Sequence, residues 1–348
     1  MIVNIFLGYI ILLIIISMFL ARGNIDEGLL NVRSTDALKG LSIIMIVLAH
    51  ICQFNPLLKE SLIGGEYTYR YLFSWGAIGV SLFFFLSGYG CYSSVIKKQR
   101  LLIWLTNHIL KMLIHFAVAF VLVVCISALL FGRTITATEI LTCFFEARLP
   151  GSTTWYFKIQ ILFYILITIS MIIGKKSKYS IAILAAFSIV YAMLSSIFFK
   201  QADYWWKTSL CFSAGCFVAQ FKSSVKNYFE LWYCKLTVFF AGGIAYFAII
   251  KDGHYRIALQ LSAYIFIALS IALFWDCYIK GNSVFERVGK ISLDIYLVHI
   301  GLLEAVFSHQ IDINYIILIY IGVVVILTII NHLISEKLFT RIKKLFRL

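Results

Sequence analysis

Apolar runs about twenty residues long recur from one end of this chain to the other, and they decide its fold class before any motif is read. A helix needs ~20 apolar residues to cross the ~30 Å hydrocarbon layer of a bilayer. A membrane barrel would show strands of alternating polarity, whereas these runs are continuous. An all-α, polytopic helical membrane protein is therefore expected. Spans are predicted at about 2–20, 37–54, 71–95, 112–131, 155–173, 180–199, 206–221, 236–250, 256–275, 291–307 and 314–334, about eleven in all. The composition agrees: 13% of the residues are charged, against about 25% in soluble domains.

A net charge of +14 could indicate a nucleic-acid partner. Its placement argues otherwise, because the basic residues sit in short loops between spans, where they set orientation. With the N-terminus outside, the inner segments hold Lys97, Lys98, Arg100, Lys175, Lys176, Lys178, Lys222, Lys226 and the tail from Lys337 to Arg347; the outer segments hold far fewer. A multi-pass protein of the cytoplasmic membrane is expected, with its C-terminus in the cytoplasm and its basic tail near anionic lipid. No positive residue precedes the first span and Arg22 follows it, the reverse of a cleavable leader, so that span is expected to be retained. The eight cysteines form no CxxC pair and no zinc pattern with histidine. Buried free thiols and no metal site are expected.

The second span opens Asp36-Ala-Leu-Lys39 and carries His50 further in. Eleven helical residues advance about 1,100° over ~16 Å, so Lys39 and His50 share a face, one near the membrane surface and one inside. An ionisable residue at that depth is a functional candidate by default, the alternative being a histidine that ties two helices together. Ser34, Thr35 and Asp36 are candidate caps for this helix. An anion arriving there would meet free backbone N–H groups, Lys39 and Arg33. In the tenth span, Ser292, Tyr296 and His299 fall on one narrow stripe, with Asp294 almost opposite. A polar stripe with a second histidine points to a lined cavity shared with His50. Gly79 to Gly90, including Ser87, reads as a close-packing segment. Trp155 and Tyr156 read as interfacial aromatics, and Lys158 as a lysine that snorkels or faces a wet cavity.

Together these segments resemble the acyltransferase family 3 membrane proteins, which O-acylate bacterial surface carbohydrates. Asp36-Ala-Leu-Lys39 with His50 stands in the register of the family's Asp-Gly-Leu-Arg…His motif, lysine replacing arginine. Gly79, Val80, Phe83, Phe84, Ser87, Gly88 and Tyr89 match its third-span pattern, with Ser81 in an aspartate's place. Trp155-Tyr156 with Tyr164, and Ser292, Tyr296 and His299, look like two further segments. The family's cytoplasmic Arg-x-x-Arg-x-x-Pro element is represented here by His108, Lys111 and Ile114. A lysine can hold phosphate as a point charge but lacks the bidentate fork.

The resemblance implies residues 1–32 as an added transmembrane helix and cytoplasmic linker, and 33–348 as the acyltransferase-like domain. It implies acetyl-CoA as cytoplasmic donor and a carbohydrate hydroxyl of a capsule, exopolysaccharide or lipid-linked glycan as acceptor. His50 and His299 are then the expected catalytic residues. Lys39, Arg33, Asp36 and Lys111 are expected at the donor, and Tyr296, Ser292, Trp155, Lys158 and Ser87 at the acceptor. A reading from another class is a glycan or lipid transporter whose histidines line a pathway; it would need no thioester donor.

Overall fold

The computed structural model describes residues 8, 12, 29–56, 58–150, 152, 154–200, 202–251, 257–279, 282–307 and 313–346. Apart from Gly8 and Leu12, the expected first span lies outside them, as does the end of the basic tail.

The described helices are α1 (Val32–Phe54), α2 (Leu58–Ser61), α3 (Gly65–Val95), α4 (Leu101–Phe131), α5 (Ala137–Phe145), α6 (Trp155–Ile173) and α7 (Tyr179–Phe198). They continue with α8 (Leu210–Gln220), α9 (Lys222–Glu230), α10 (Trp232–Lys251), α11 (Ile257–Phe274), α12 (Ser283–Lys290), α13 (Ser292–Phe307) and α14 (Ile313–Phe346). No strand occurs among the described residues. Among the described residues, seven helices are long and apolar enough to cross a membrane, or eight if the bent pair α9–α10 counts as one span. Large apolar side chains such as Val121, Ile197 and Ile326 point outward, as a lipid-facing surface requires. The chain is an all-α, multi-pass membrane protein.

The helices depart from the expected spans in length. α3 and α4 are each 31 residues and α14 is 34, about 50 Å, so they run past the hydrocarbon layer. α8 and α13, at 11 and 16 residues, are too short to span alone. Both are largely buried by neighbouring helices, where protein rather than lipid satisfies what their ends expose.

Glycines set the closest crossings. On α1 and α12, Gly40 lies against the carbonyl of Phe285 and Gly289 against that of Asp36, so neither position has room for a Cβ. On α3 and α8 the same reciprocal arrangement joins Gly88 to Phe212 and Gly215 to Phe85. This confirms the close-packing reading of the Gly79 to Gly90 segment. Such contacts let backbones approach where lipid supplies no hydrophobic drive between helices. The first crossing has a functional consequence: it pins the start of α13 beside the first turns of α1. α13 then packs on α1, α4 and α14, which places Ser292, Tyr296 and His299 inside the bundle.

Candidate active site

Near the end of α1, His50 meets His299 of α13. Their nearest nitrogens, His50 Nδ1 and His299 Nε2, are 3.0 Å apart, and the rings stack with centroids 5.3 Å apart and planes 15° from parallel. His299 Nδ1 lies 2.8 Å from the Ile295 carbonyl oxygen. A carbonyl only accepts, so His299 Nδ1 carries a proton and, in a neutral pair, its Nε2 is an acceptor. His50 Nδ1 must then be the donor to it. That leaves the lone pair on His50 Nε2, at the ring edge away from His299. Hydrogen-bond complementarity thus assigns one imidazole atom as proton acceptor, held in place by a second imidazole.

Two cavities lie near this pair, the larger lined by His50 and the smaller by neither histidine, and Tyr296 borders both. The larger, about 940 Å³, is lined by His50, Gln53, Arg148, Trp155, Asp203 and Lys207, among others. Arg148 Nε is 2.5 Å from Glu146, and Lys207 Nζ is 3.0 Å from Asp203. Trp155 packs beside Tyr204 and Trp205, giving it an aromatic wall. The smaller cavity, about 430 Å³, is lined by Lys39, Lys111 and Lys290, then by Ser87, Gln160 and Ser292. Both volumes suit small-molecule sites. Neither end of the buried Gln160 amide makes a hydrogen bond of full geometry, although the Tyr164 hydroxyl lies beside it. A buried amide in that condition fits a ligand carrying amides of its own.

Most of the expected residues come together. Asp36, Lys39, Lys111, Ser87 and Ser292 line the smaller cavity, Trp155 and His50 the larger, and Tyr296 both. Lys39 is tied to Asp36 at 3.2 Å and Lys111 to Glu336 at 2.6 Å. Four features are placed otherwise than the sequence led us to expect. His299 is fully buried and lines neither cavity, because His50 stands between it and the open space. Arg33 is largely exposed and pairs with Glu286 at 3.6 Å, outside both cavities. Lys158 also lines neither. The α1 cap is Asn31, whose side chain accepts from the Ser34 N–H. The helix begins one turn before Asp36, so its free N–H groups do not sit beside Lys39.

The sequence reading also passed over residues that line the cavities. Gln160 was visible only as a polar residue one turn into α6, and Lys290 and Arg148 only as loop charges. Asp294 forms a separate buried cluster. Its carboxylate accepts from His115 Nδ1 at 2.6 Å, Asn331 Nδ2 at 2.6 Å and His332 Nδ1 at 2.8 Å. His115 Nε2 in turn lies 3.5 Å from Glu336. The cluster joins α13, α4 and α14, and is linked to the smaller cavity through the Glu336–Lys111 pair.

A family model described as an acyltransferase domain matches residues 32–332. No curated protein and no solved structure matches the chain.

Proposed function

The chain belongs to the acyltransferase domain family of acyltransferase family 3, and from that premise we propose that it is an O-acetyltransferase of the cytoplasmic membrane. Its donor is acetyl-CoA and its acceptor a hydroxyl of a surface or lipid-linked glycan. The observation that carries this reading is the pair of unlike cavities that share Tyr296, one of them lined by His50 of the histidine dyad. The smaller has lysines where a donor's phosphates would enter and neutral polar groups beyond them. Lys39, Lys111 and Lys290 act there as point charges for phosphate. Gln160 is placed for an amide of the pantetheine arm. The larger cavity has the polar rim and aromatic wall that suit a polyhydroxylated ring, with Trp155 as the face on which a sugar packs.

His50 is the general base. Its Nε2 takes the acceptor hydroxyl's proton as the oxygen attacks the thioester carbonyl, and the proton returns to the departing sulfur as CoA thiol. His299 is a positioning residue: it fixes the His50 tautomer and receives the hydrogen bond that strengthens as His50 becomes charged. The interruption between the two cavities supports transfer between two bound substrates over a continuous transport pathway.

The test uses purified protein in detergent with radiolabelled acetyl-CoA and base-deacetylated surface polysaccharide from the producing cells. Free CoA thiol and labelled polysaccharide should appear together. Neither should form with His50→Ala. Wild-type protein that forms neither would remove the acetyl-transfer reading.

A further inference from the structure

We propose that Tyr296 closes the passage between the two cavities and donates a hydrogen bond to the acyl carbonyl oxygen during transfer, an inference that rests on the acetyl-transfer reading. Lys39 and His50 share a face of α1, yet they line different cavities. Among the described residues Tyr296 alone lines both. Its ring packs edge-on against Tyr156, with centroids 5.2 Å apart, and against His299, 5.7 Å away. A thioester entering past Lys39 therefore reaches Tyr296 before it reaches His50.

The hydroxyl is the second observation. Tyr296 is 2% exposed, and its oxygen makes no hydrogen bond of full distance and angle, although the Tyr156 backbone lies beside it. A phenylalanine would fill the same apolar position without a poorly satisfied buried hydroxyl, a condition that costs about 1–3 kcal/mol. A ligand atom that accepts from the hydroxyl removes that cost. The acyl end of a CoA thioester brings one strong acceptor to this point, its carbonyl oxygen.

The chemistry then balances. The acceptor oxygen bonds to the carbonyl carbon while its proton passes to His50 Nε2. The C=O π pair moves onto oxygen, and the Tyr296 O–H holds the resulting oxyanion. Collapse breaks the C–S bond, sulfur takes the proton back from His50, and acetyl ester and CoA thiol leave. Until an acceptor is bound, the Tyr296 ring keeps water of the larger cavity from the thioester.

The experiment measures labelled polysaccharide and free CoA thiol separately, for full-length protein in detergent with the polysaccharide probe above. Tyr296→Phe should lower kcat for transfer about 10²- to 10³-fold, the usual effect of losing one oxyanion donor. Its KM for acetyl-CoA should stay within about twofold of wild type. Tyr296→Ala should in addition release CoA thiol without acetylating polysaccharide, because the cavities then join. An active wild type whose Phe variant keeps its kcat, or changes only in KM, would overturn the inference. So would an Ala variant with no uncoupled CoA release. Should neither variant fold, 3-fluorotyrosine at position 296 decides instead: kcat must change with phenol acidity, and an unchanged kcat sinks the proposal. A wild type that transfers nothing fails the acetyl-transfer reading itself.

Discussion

At the scale of the residue, the His50–His299 contact makes two demands that differ in size. His50→Ala removes the proposed base and should lower kcat about 10²- to 10⁴-fold, with protein still inserted and folded. His299→Phe removes only the partner of His50 Nδ1. Loss of one hydrogen bond, about 1.4 kcal/mol, should lower kcat about tenfold and leave KM for acetyl-CoA alone. Equal losses in the two variants would show that His299 does more than orient. The smaller cavity, proposed for the donor, gives a second contrast. Lys39→Ala should raise KM for acetyl-CoA and Lys39→Arg should be tolerated, whereas Arg33→Ala should change KM little, since Arg33 is exposed and engaged with Glu286. A larger effect at Arg33 would reverse the assignment. Much of this site was legible in the sequence, because helical periodicity alone puts Lys39 with His50 and Ser292 with Tyr296 and His299. Periodicity gives the face of a helix and says nothing of what that face meets. Hence His299 was expected on a cavity wall and lies behind His50. Arg33 was expected with Lys39, although six residues along a helix place it roughly 120° away from that face.

The same limit operates on whole elements. Apolar runs located every described helix long enough to cross the membrane and missed the short α2, α5, α9 and α12; hydropathy also stops where the lipid stops, so the ends of α3, α4 and α14 fell outside the expected spans. α8 and α13 err the other way: each is shorter than the apolar run that predicted it. What holds them was only half visible, since the glycines could be read and their partners could not. Gly88→Leu would drive a side chain into the backbone of α8 at Phe212. The expected outcome is loss of monodisperse protein on size exclusion in detergent, and a normal elution profile would show that this crossing can yield. The Asp294 cluster binds α13 to α4 and α14 from the other side. Asp294→Ala leaves the donors of His115, Asn331 and His332 without their acceptor in the bundle interior. A cost of about 3–5 kcal/mol is expected by analogy with a broken buried pair. It should register as a clear fall in thermal midpoint, with the surviving folded fraction keeping its KM for acetyl-CoA. An unchanged midpoint would mean that the cluster is not structural.

On the scale of the whole molecule, the reading requires the two cavities to open on opposite sides of the membrane. The chemistry of the substrates sets that requirement: acetyl-CoA is made and held in the cytoplasm, and surface glycans are displayed outside. Loop charge is the feature of the chain that assigns the sides. Lys97, Lys98 and Arg100 lie at the same end of the bundle as the mouth formed by Lys39, Lys111 and Lys290, and that end is expected to face inward. The opposite end carries the segment 132–154. It contains α5, and its Arg148 and Ser152 reach the larger cavity. Two exposed lining positions make the arrangement measurable, Gln53 on the larger cavity and Lys290 on the smaller. In intact cells a membrane-impermeant maleimide should label Gln53→Cys and spare Lys290→Cys until the membrane is permeabilised. After permeabilisation, CoA should protect Lys290→Cys and leave Gln53→Cys reactive, because the first position is placed at the donor's phosphates and the second is not. Labelling of both positions from the outside would mean that the cavities do not divide the membrane's two faces. Acetyl-CoA could not then be drawn from the cytoplasm through the lysine-lined mouth, and the assignment of donor and acceptor cavities would fall together.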